Sequence, residues 1–141
     1  MVRVLRLATE SFVDGAVGEG FAAGRLEAGA ATVTGGRSPR LRSMAREERA
    51  HAALGGDIVR WALQEHPGLV SGALRGASRR LPTHVDLPAA YQGLPPEDLH
   101  RVGFTDAPTA AQVWTRERAA AHRWLAEALR SESTRSTLSP G

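Results

Sequence analysis

Apolar and small residues recur every three or four positions along residues 2 to about 33, which is the spacing of one face of an α-helix. This first seam consists of Leu5, Ala8, Phe12, Gly15, Glu19, Ala22, Leu26, Gly29 and Val33. A second seam with the same spacing runs over residues 40–65 and consists of Leu41, Met44, Glu48, His51, Gly55, Ile58 and Ala62. The pattern therefore predicts two successive helices.

The segment between the two seams, Gly35–Pro39, contains signals for a helix end and a helix start. Glycine allows the left-handed conformation that ends many helices, Ser38 has the side chain of an N-cap residue, and proline is favoured at the first helical position. We therefore expect a tight turn that joins the two helices into a hairpin. His66-Pro67-Gly68 should end the second helix, because proline cannot continue the backbone hydrogen bonding.

The rest of the chain predicts shorter and less regular elements. One apolar side over residues 69–80 predicts a short helix, and it is formed by Leu69, Val70, Ala73, Leu74 and Ala77. Five prolines between Leu81 and Thr109 predict an irregular connector with a single helical turn at residues 96–102. Residues 109–130 have an amphipathic pattern that Asp106 or Thr109 can cap, and the Ser/Thr-rich residues 131–141 are expected to be disordered.

The predicted fold class is all-α, because no stretch alternates β-branched and polar residues over the length of a strand. A chain of 141 residues is long enough for one domain with a hydrophobic core. We divide it into a helical hairpin at residues 1–66, a short helix and proline-rich connector at 67–108, a C-terminal helix at 109–130 and a disordered tail at 131–141.

Composition excludes several classes of function. All 18 basic residues are arginines, and the net charge is +3. These arginines are spread along the chain and stand beside acidic residues at Arg46–Arg49 and Arg116–Arg118. This distribution predicts solvated helix faces and argues against a nucleic-acid binder. The absence of cysteine excludes disulfides and thiolate chemistry. No apolar run approaches the roughly 20 residues of a membrane span, so we expect a soluble cytoplasmic protein.

Polar residues on the apolar seams are the candidates for chemistry. Glu48 and His51 are one helical turn apart and interrupt the second seam, and Glu19 interrupts the first at a similar distance from the turn. A buried carboxylate needs a compensating cation or hydrogen bonds, and carboxylates with a neutral imidazole suit Fe(II) or Mn(II). These three residues are therefore predicted metal ligands. Four other histidines are assigned to surface or packing roles: His66, His84, His100 and His122. The three tryptophans, Trp61, Trp114 and Trp124, are assigned to core packing.

Two motifs carry a resemblance to a known family. Asp14-Gly-Ala-Val-Gly-Glu19-Gly-Phe-Ala-Ala is followed by Glu47-Glu48-Arg49-Ala50-His51-Ala-Ala-Leu54 and by Ile58-Val-Arg-Trp61-Ala-Leu63. Over residues 4–63 the chain resembles the second half of a bacterial ferritin-like domain. In that family a four-helix bundle holds two metal ions, with one Glu from each of two helices and a Glu-x-x-His from each of the other two.

The resemblance implies that Glu19 is the carboxylate ligand of the third bundle helix and that Glu48 and His51 are the Glu-x-x-His of the fourth. It implies iron, as a di-iron site, or manganese as the cofactor, with redox or oxygen chemistry once the site is complete. A complete site has six protein ligands and this chain has three. We expect the others from a second copy in a homo-oligomer, or from a missing N-terminal helix pair, since helical periodicity begins at Met1 without a cap.

Other functions remain open at this stage. The same helices suit a non-catalytic oligomerisation or scaffold protein, or a truncated remnant with a vestigial site. Whether the protein is an enzyme is left open by the sequence. An apolar hairpin seam is in each case expected to associate with a partner, because it is not stable in water alone.

Overall fold

The protein is all-α in the computed structural model, which describes residues 1–86 and 88–138, and this part of the chain contains no strand. Helix α1, a π-helical segment and α2 follow one another without a break and form one rod. Four further α-helices follow the rod, and a 3-10 turn lies between the second and third of them. The elements are α1 (Val2–Glu10), the π-helical segment (Ser11–Glu19), α2 (Gly20–Thr32), α3 (Ser38–Glu65), α4 (Pro67–Arg79), the 3-10 turn (Ala89–Tyr91), α5 (Pro96–Val102) and α6 (Ala107–Leu138).

The predicted hairpin turn is present, but Ser38 has a different role from the one expected. Gly35 and Gly36 both have positive φ, at 74° and 72°, which reverses the chain between α2 and α3. Ser38 is the first residue of α3 and does not cap it, since Arg37 is the N-cap residue. Its hydroxyl instead donates to the carbonyl oxygen of Ala30 at 2.8 Å. That carbonyl belongs to the last turn of α2, where the helix itself supplies no donor.

The π-helical segment moves the buried face of the rod by one position. Ala8 and Phe12 are buried and four residues apart, as in an α-helix, but the next buried side chain is Val17, five residues later. A π-helix has hydrogen bonds five residues apart, so each of its turns holds an extra residue. The prediction that Glu19 lies in line with Phe12 on the core seam is therefore wrong. Glu19 lies at the edge of the core and is half-buried.

Helices α4 and α6 of this chain pack on the core face of the hairpin, so part of the face that was expected to need a partner is covered by the chain itself. Helix α4 packs against α1 and α3, and α6 packs against α2, α3 and the π-helical segment. The Trp114 indole, in α6, donates to the carbonyl oxygen of Pro82 at 3.0 Å. This hydrogen bond joins α6 to the chain that follows the end of α4. The largest fully buried side chains are Phe12, Val59, Leu63, Val70 and Leu74.

The C-terminal helix is longer than predicted. It starts at Ala107, and Asp106 accepts a hydrogen bond from the backbone N–H of Thr109 at 2.8 Å, which confirms Asp106 as its cap. The prediction of a disordered tail is wrong for residues 131–138, which continue the helix to Leu138. The rest of the predicted tail, residues 139–141, lies outside the described residues. The Ser/Thr content of residues 131–138 did not indicate that α6 extends this far.

Two further predictions have mixed outcomes. The turn expected at residues 96–102 is the helix α5, which ends at Gly103 with φ of 84°. Trp114 is buried as expected for a core residue, but Trp61 is 47% exposed and that prediction is wrong. Among the described residues, no helix combines the length and the apolar character that crossing a membrane requires.

The rod and α3 cross at two glycines that face each other. A Cβ atom on Gly55 would lie 2.7 Å from the carbonyl oxygen of Ser11, 2.8 Å from the amide nitrogen of Ala16 and 3.0 Å from the Cα of Gly15. All three atoms belong to the backbone, so they cannot turn aside as a side chain would. Glycine at position 55 therefore sets how closely the two helices approach.

We predict that Gly55→Ala destabilises the fold by about 2 kcal/mol, because the added methyl group forces the two backbones apart. The matched control is Gly72→Ala in α4, where an added Cβ has nothing within 4 Å. That substitution should stabilise the protein by about 0.5–1 kcal/mol through helix propensity alone. Urea unfolding followed by circular dichroism measures both changes. A Gly55→Ala protein as stable as the wild type would contradict the close crossing.

Candidate metal site

The three predicted ligands come together in the structure. One ligand atom from each of Glu19, Glu48 and His51 can be chosen so that the three lie within 4.8 Å of one another. Glu19 is the last residue of the π-helical segment, and the other two are one turn apart on α3. The side chain of Glu48 is 30% exposed and that of His51 is 61% exposed. We call this group the triad; it lies on the flank of the hairpin and opens to solvent on the side of His51.

Hydrogen bonds link the members of the triad. The pKa of Glu19 is raised, first because its carboxyl group hydrogen-bonds to that of Glu48 and then because burial disfavours its charge. The pKa of Glu48 is lowered, first by the hydrogen bond with Glu19 and, against the effect of burial, also by the one with His51. His51 Nδ1 lies 3.3 Å from Glu48 Oε2. The contact therefore favours the neutral form of Glu19 beside the ionised form of Glu48.

The arginine next to Glu48 in sequence does not neutralise the triad. Arg49 points to the other side of α3, where it makes paired hydrogen bonds to Glu117 at 2.7 and 2.9 Å and to Glu27 at 3.0 and 3.1 Å. Within residues 1–86 and 88–138, no arginine lies at ion-pair distance from Glu19 or Glu48. Among these described residues, His51 is thus the one basic side chain at ion-pair distance from Glu48.

The triad has the donor set of a divalent metal site. Two carboxyl groups and an imidazole offer oxygen and nitrogen ligands, a combination that suits Fe(II) or Mn(II). A metal ion would balance the carboxylate charge that no described arginine compensates. Solvent or a second set of ligands would fill its remaining coordination positions, because His51 borders open space.

Apolar residues flank the triad in both directions along α3. Leu54, Ile58 and Trp61 follow His51 at intervals of three and four residues, so they continue its side of the helix. Leu54 is 59% exposed and Trp61 is 47% exposed, whereas Ile58 is half-buried. We call these three residues the open strip. Toward the hairpin turn, Met44 precedes Glu48 by one helical turn and lines a cavity, which we call the turn-end pocket.

Sequence reasoning missed the ion pairs that hold the helices around the triad. Arg49 and Glu117 were assigned to solvated helix faces, but they join α3 to α6, and the side chain of Glu117 is only 11% exposed. The signal was weak because an arginine next to a glutamate on one helix does not reveal a partner on another.

Two histidines that were given surface or packing roles have polar partners. His122 lies 2.7 Å from the hydroxyl of Ser78, and His100 lies 3.0 Å from the carboxyl group of Asp106. Burial is the main cause that lowers the pKa of His122, with the charge of Arg118 acting in the same direction. Neither histidine is near the triad in sequence, and no group of three or more metal-binding side chains other than the triad occurs in the described part of the chain.

Comparison of the chain with protein-family models, with curated proteins and with solved structures found no match. The ferritin-like resemblance of residues 4–63 therefore stays a prediction. What the protein does must be inferred from the geometry of its own residues.

We predict that Arg49→Met lowers the free energy of unfolding by about 2 kcal/mol, since Glu117 would keep only its longer contact with Arg116 at 3.6 Å. The control Arg101→Met removes an exposed ion pair with Asp98 and should change stability by less than about 0.5 kcal/mol. Adding Glu117→Gln to Arg49→Met should recover part of the loss, because the poorly compensated charge is gone. Equal losses for Arg49→Met and Arg101→Met, by urea unfolding, would show that the Arg49 pair has no special role.

Proposed function

We propose that this protein is a ferritin-like metal-binding protein whose triad holds iron or manganese. The observation that carries the proposal is the convergence of Glu19, Glu48 and His51 within 4.8 Å, with no arginine paired to either carboxylate in the described residues. Two of these residues form a Glu-x-x-His on one helix and the third comes from the adjacent helix, which is the ligand pattern of half a di-iron bundle. The rod and α3 would then correspond to one hairpin of that bundle.

The arrangement of the other helices is compatible with this interpretation. Helices α4 and α6 pack on the core face of the hairpin, and Arg49 marks that side through its pair with Glu117. The triad and the open strip lie on a different flank, which these helices leave exposed. A second helical hairpin would therefore have access to the triad without displacing any part of this chain.

We propose that a second copy of this chain covers the open strip. Its triad would supply the same three ligand types and raise the set from three to six, the number in a complete di-iron site. The exposed side chains of Leu54 and Trp61 beside the triad give such a contact an apolar centre. Iron bound by six such ligands supplies redox or oxygen chemistry, and the residues of this chain would hold and orient the two ions.

A non-catalytic scaffold is the alternative, and it makes an opposite prediction for Glu48. In a protein that never binds metal, the triad only adds electrostatic repulsion at a partly buried position. Glu48→Leu would then stabilise the fold whether or not metal is present. In a metal protein, the same substitution should abolish the stabilisation that added metal provides.

We predict that the protein binds about one Fe(II) or Mn(II) ion per chain. Anaerobic calorimetric titration with Fe(II), and titration with Mn(II) followed by electron paramagnetic resonance, measure the stoichiometry. His51→Ala should weaken binding by more than about tenfold because it removes a ligand. The control is His84→Ala, which changes an exposed histidine of the connector and should leave binding unchanged. Absence of stoichiometric binding, or an equal effect of both variants, would refute the metal site.

We predict a metal-stabilised dimer whose contact includes the open strip. Leu54→Glu should shift the dimer toward the monomer in sedimentation equilibrium, because it introduces a charge into the apolar centre of the contact. Leu69→Glu is the matched control, since Leu69 is a similarly exposed leucine on α4. A wild-type protein that stays monomeric when loaded with metal would exclude the second copy. Metal binding to that monomer would then point to a different partner for the flank.

A further inference from the structure

The turn-end pocket is an apolar cavity of about 360 Å³ between α2, α3 and the connection from α5 to α6. Its apolar lining comes from Leu26, Leu41, Met44, Val102 and Phe104. Met44, Val102 and Phe104 are large apolar side chains that remain exposed. Benzene occupies a protein cavity of about 150 Å³, so this pocket has room for a ligand of roughly fourteen non-hydrogen atoms.

Two polar side chains, Arg25 and Thr105, line the pocket, and one of them has a buried donor without a hydrogen-bond partner. Arg25 makes no ion pair among the described residues, and its Nε atom is buried without a hydrogen bond. Its guanidinium group lies 4.6 Å from the centre of the Phe21 ring, which fixes its position but satisfies none of its donors. Thr105 is only 7% exposed and also lines the pocket, where its hydroxyl is a second polar group. A buried donor such as Arg25 Nε normally has a partner, so the Arg25 side chain points to a ligand.

We propose that the turn-end pocket binds a small apolar carboxylate. The apolar walls would bury the hydrocarbon part, and the guanidinium group of Arg25 and the hydroxyl of Thr105 would bind the carboxylate oxygens. One cation and one hydroxyl match a single negative charge, whereas a phosphate dianion generally recruits more positive charge. The carboxylate would give the guanidinium group of Arg25 a charged hydrogen-bond acceptor, which no described residue supplies.

The pocket is next to the triad along both helices. Ala22 follows Glu19 by three residues and Met44 precedes Glu48 by four, so pocket and triad are about one helical turn apart, or about 5–6 Å of rise. We infer that the carboxylate is the substrate class of the metal site. This second step rests on the proposed metal function, but the binding of the carboxylate does not.

The binding step is tested on metal-free protein, so that failure of the metal site cannot affect it. Decanoate, as the probe, should bind in calorimetry, and decanol of the same chain length should bind at least about tenfold more weakly, because it has no charge to pair with Arg25. Arg25→Gln should weaken decanoate binding by a similar factor and Thr105→Val by a smaller one. Arg40→Gln, which changes an exposed arginine outside the pocket, should have no effect.

Equal affinity for decanoate and decanol, or equal effects of Arg25→Gln and Arg40→Gln, would overturn the assignment. Circular dichroism of each variant establishes that it is folded. The substrate step has its own measurement: Mn(II) in the wild-type triad should broaden the proton resonances of bound decanoate, and His51→Ala should remove the broadening. Binding without broadening in a protein that holds Mn(II) would keep the pocket but exclude it as the substrate site.

Discussion

The close approach of two glycine backbones sets the geometry on which the triad depends. Where Gly15 and Gly55 face each other, the rod and α3 touch through main-chain atoms, with no side chain between them. Glu19 is one helical turn from Gly15, and His51 is one turn from Gly55. Carboxylate and imidazole side chains are short, and they reach each other across a helix pair only where the axes are this close. The same contact that stabilises the hairpin therefore allows three ligands from two helices to meet.

Much of the fold could be predicted from the sequence, because helix periodicity, prolines and glycines are local signals. The hairpin, the short helix, the single turn at residues 96–102 and the cap at Asp106 all follow from such signals. The extra residue per turn in the π-helical segment could not be predicted, since nothing in Ser11–Glu19 distinguishes it from an α-helix. The segment packs against α3, and its extra residue places Val17 in the core and Glu19 at its edge.

The candidate site was accessible to sequence reasoning for a different reason. Glu48 and His51 are one turn apart on any helix, so their proximity needs no tertiary information, and the turn at Gly35–Gly36 brings Glu19 opposite them. The covering of the core face by α4 and α6 was inaccessible, because it depends on long-range contacts such as Arg49 with Glu117. Adjacent residues on a helix point about 100° apart, so Glu48 and Arg49 lie on different sides of α3. The side with Arg49 forms ion pairs to α2 and α6, and the side with Glu48 carries the candidate metal ligands.

The exposure of His51 has a consequence for selectivity among metals. A rigid, enclosed cage can reject an ion of the wrong size, but three ligands on one flank with water on the other impose little shape of their own. Affinity at such a site follows the intrinsic order of the divalent ions, in which copper exceeds iron and manganese. A metal ion bound at the triad in a cell would then be the one that the cell keeps at the highest effective free concentration. Selectivity by the protein itself would require a partner that encloses the site.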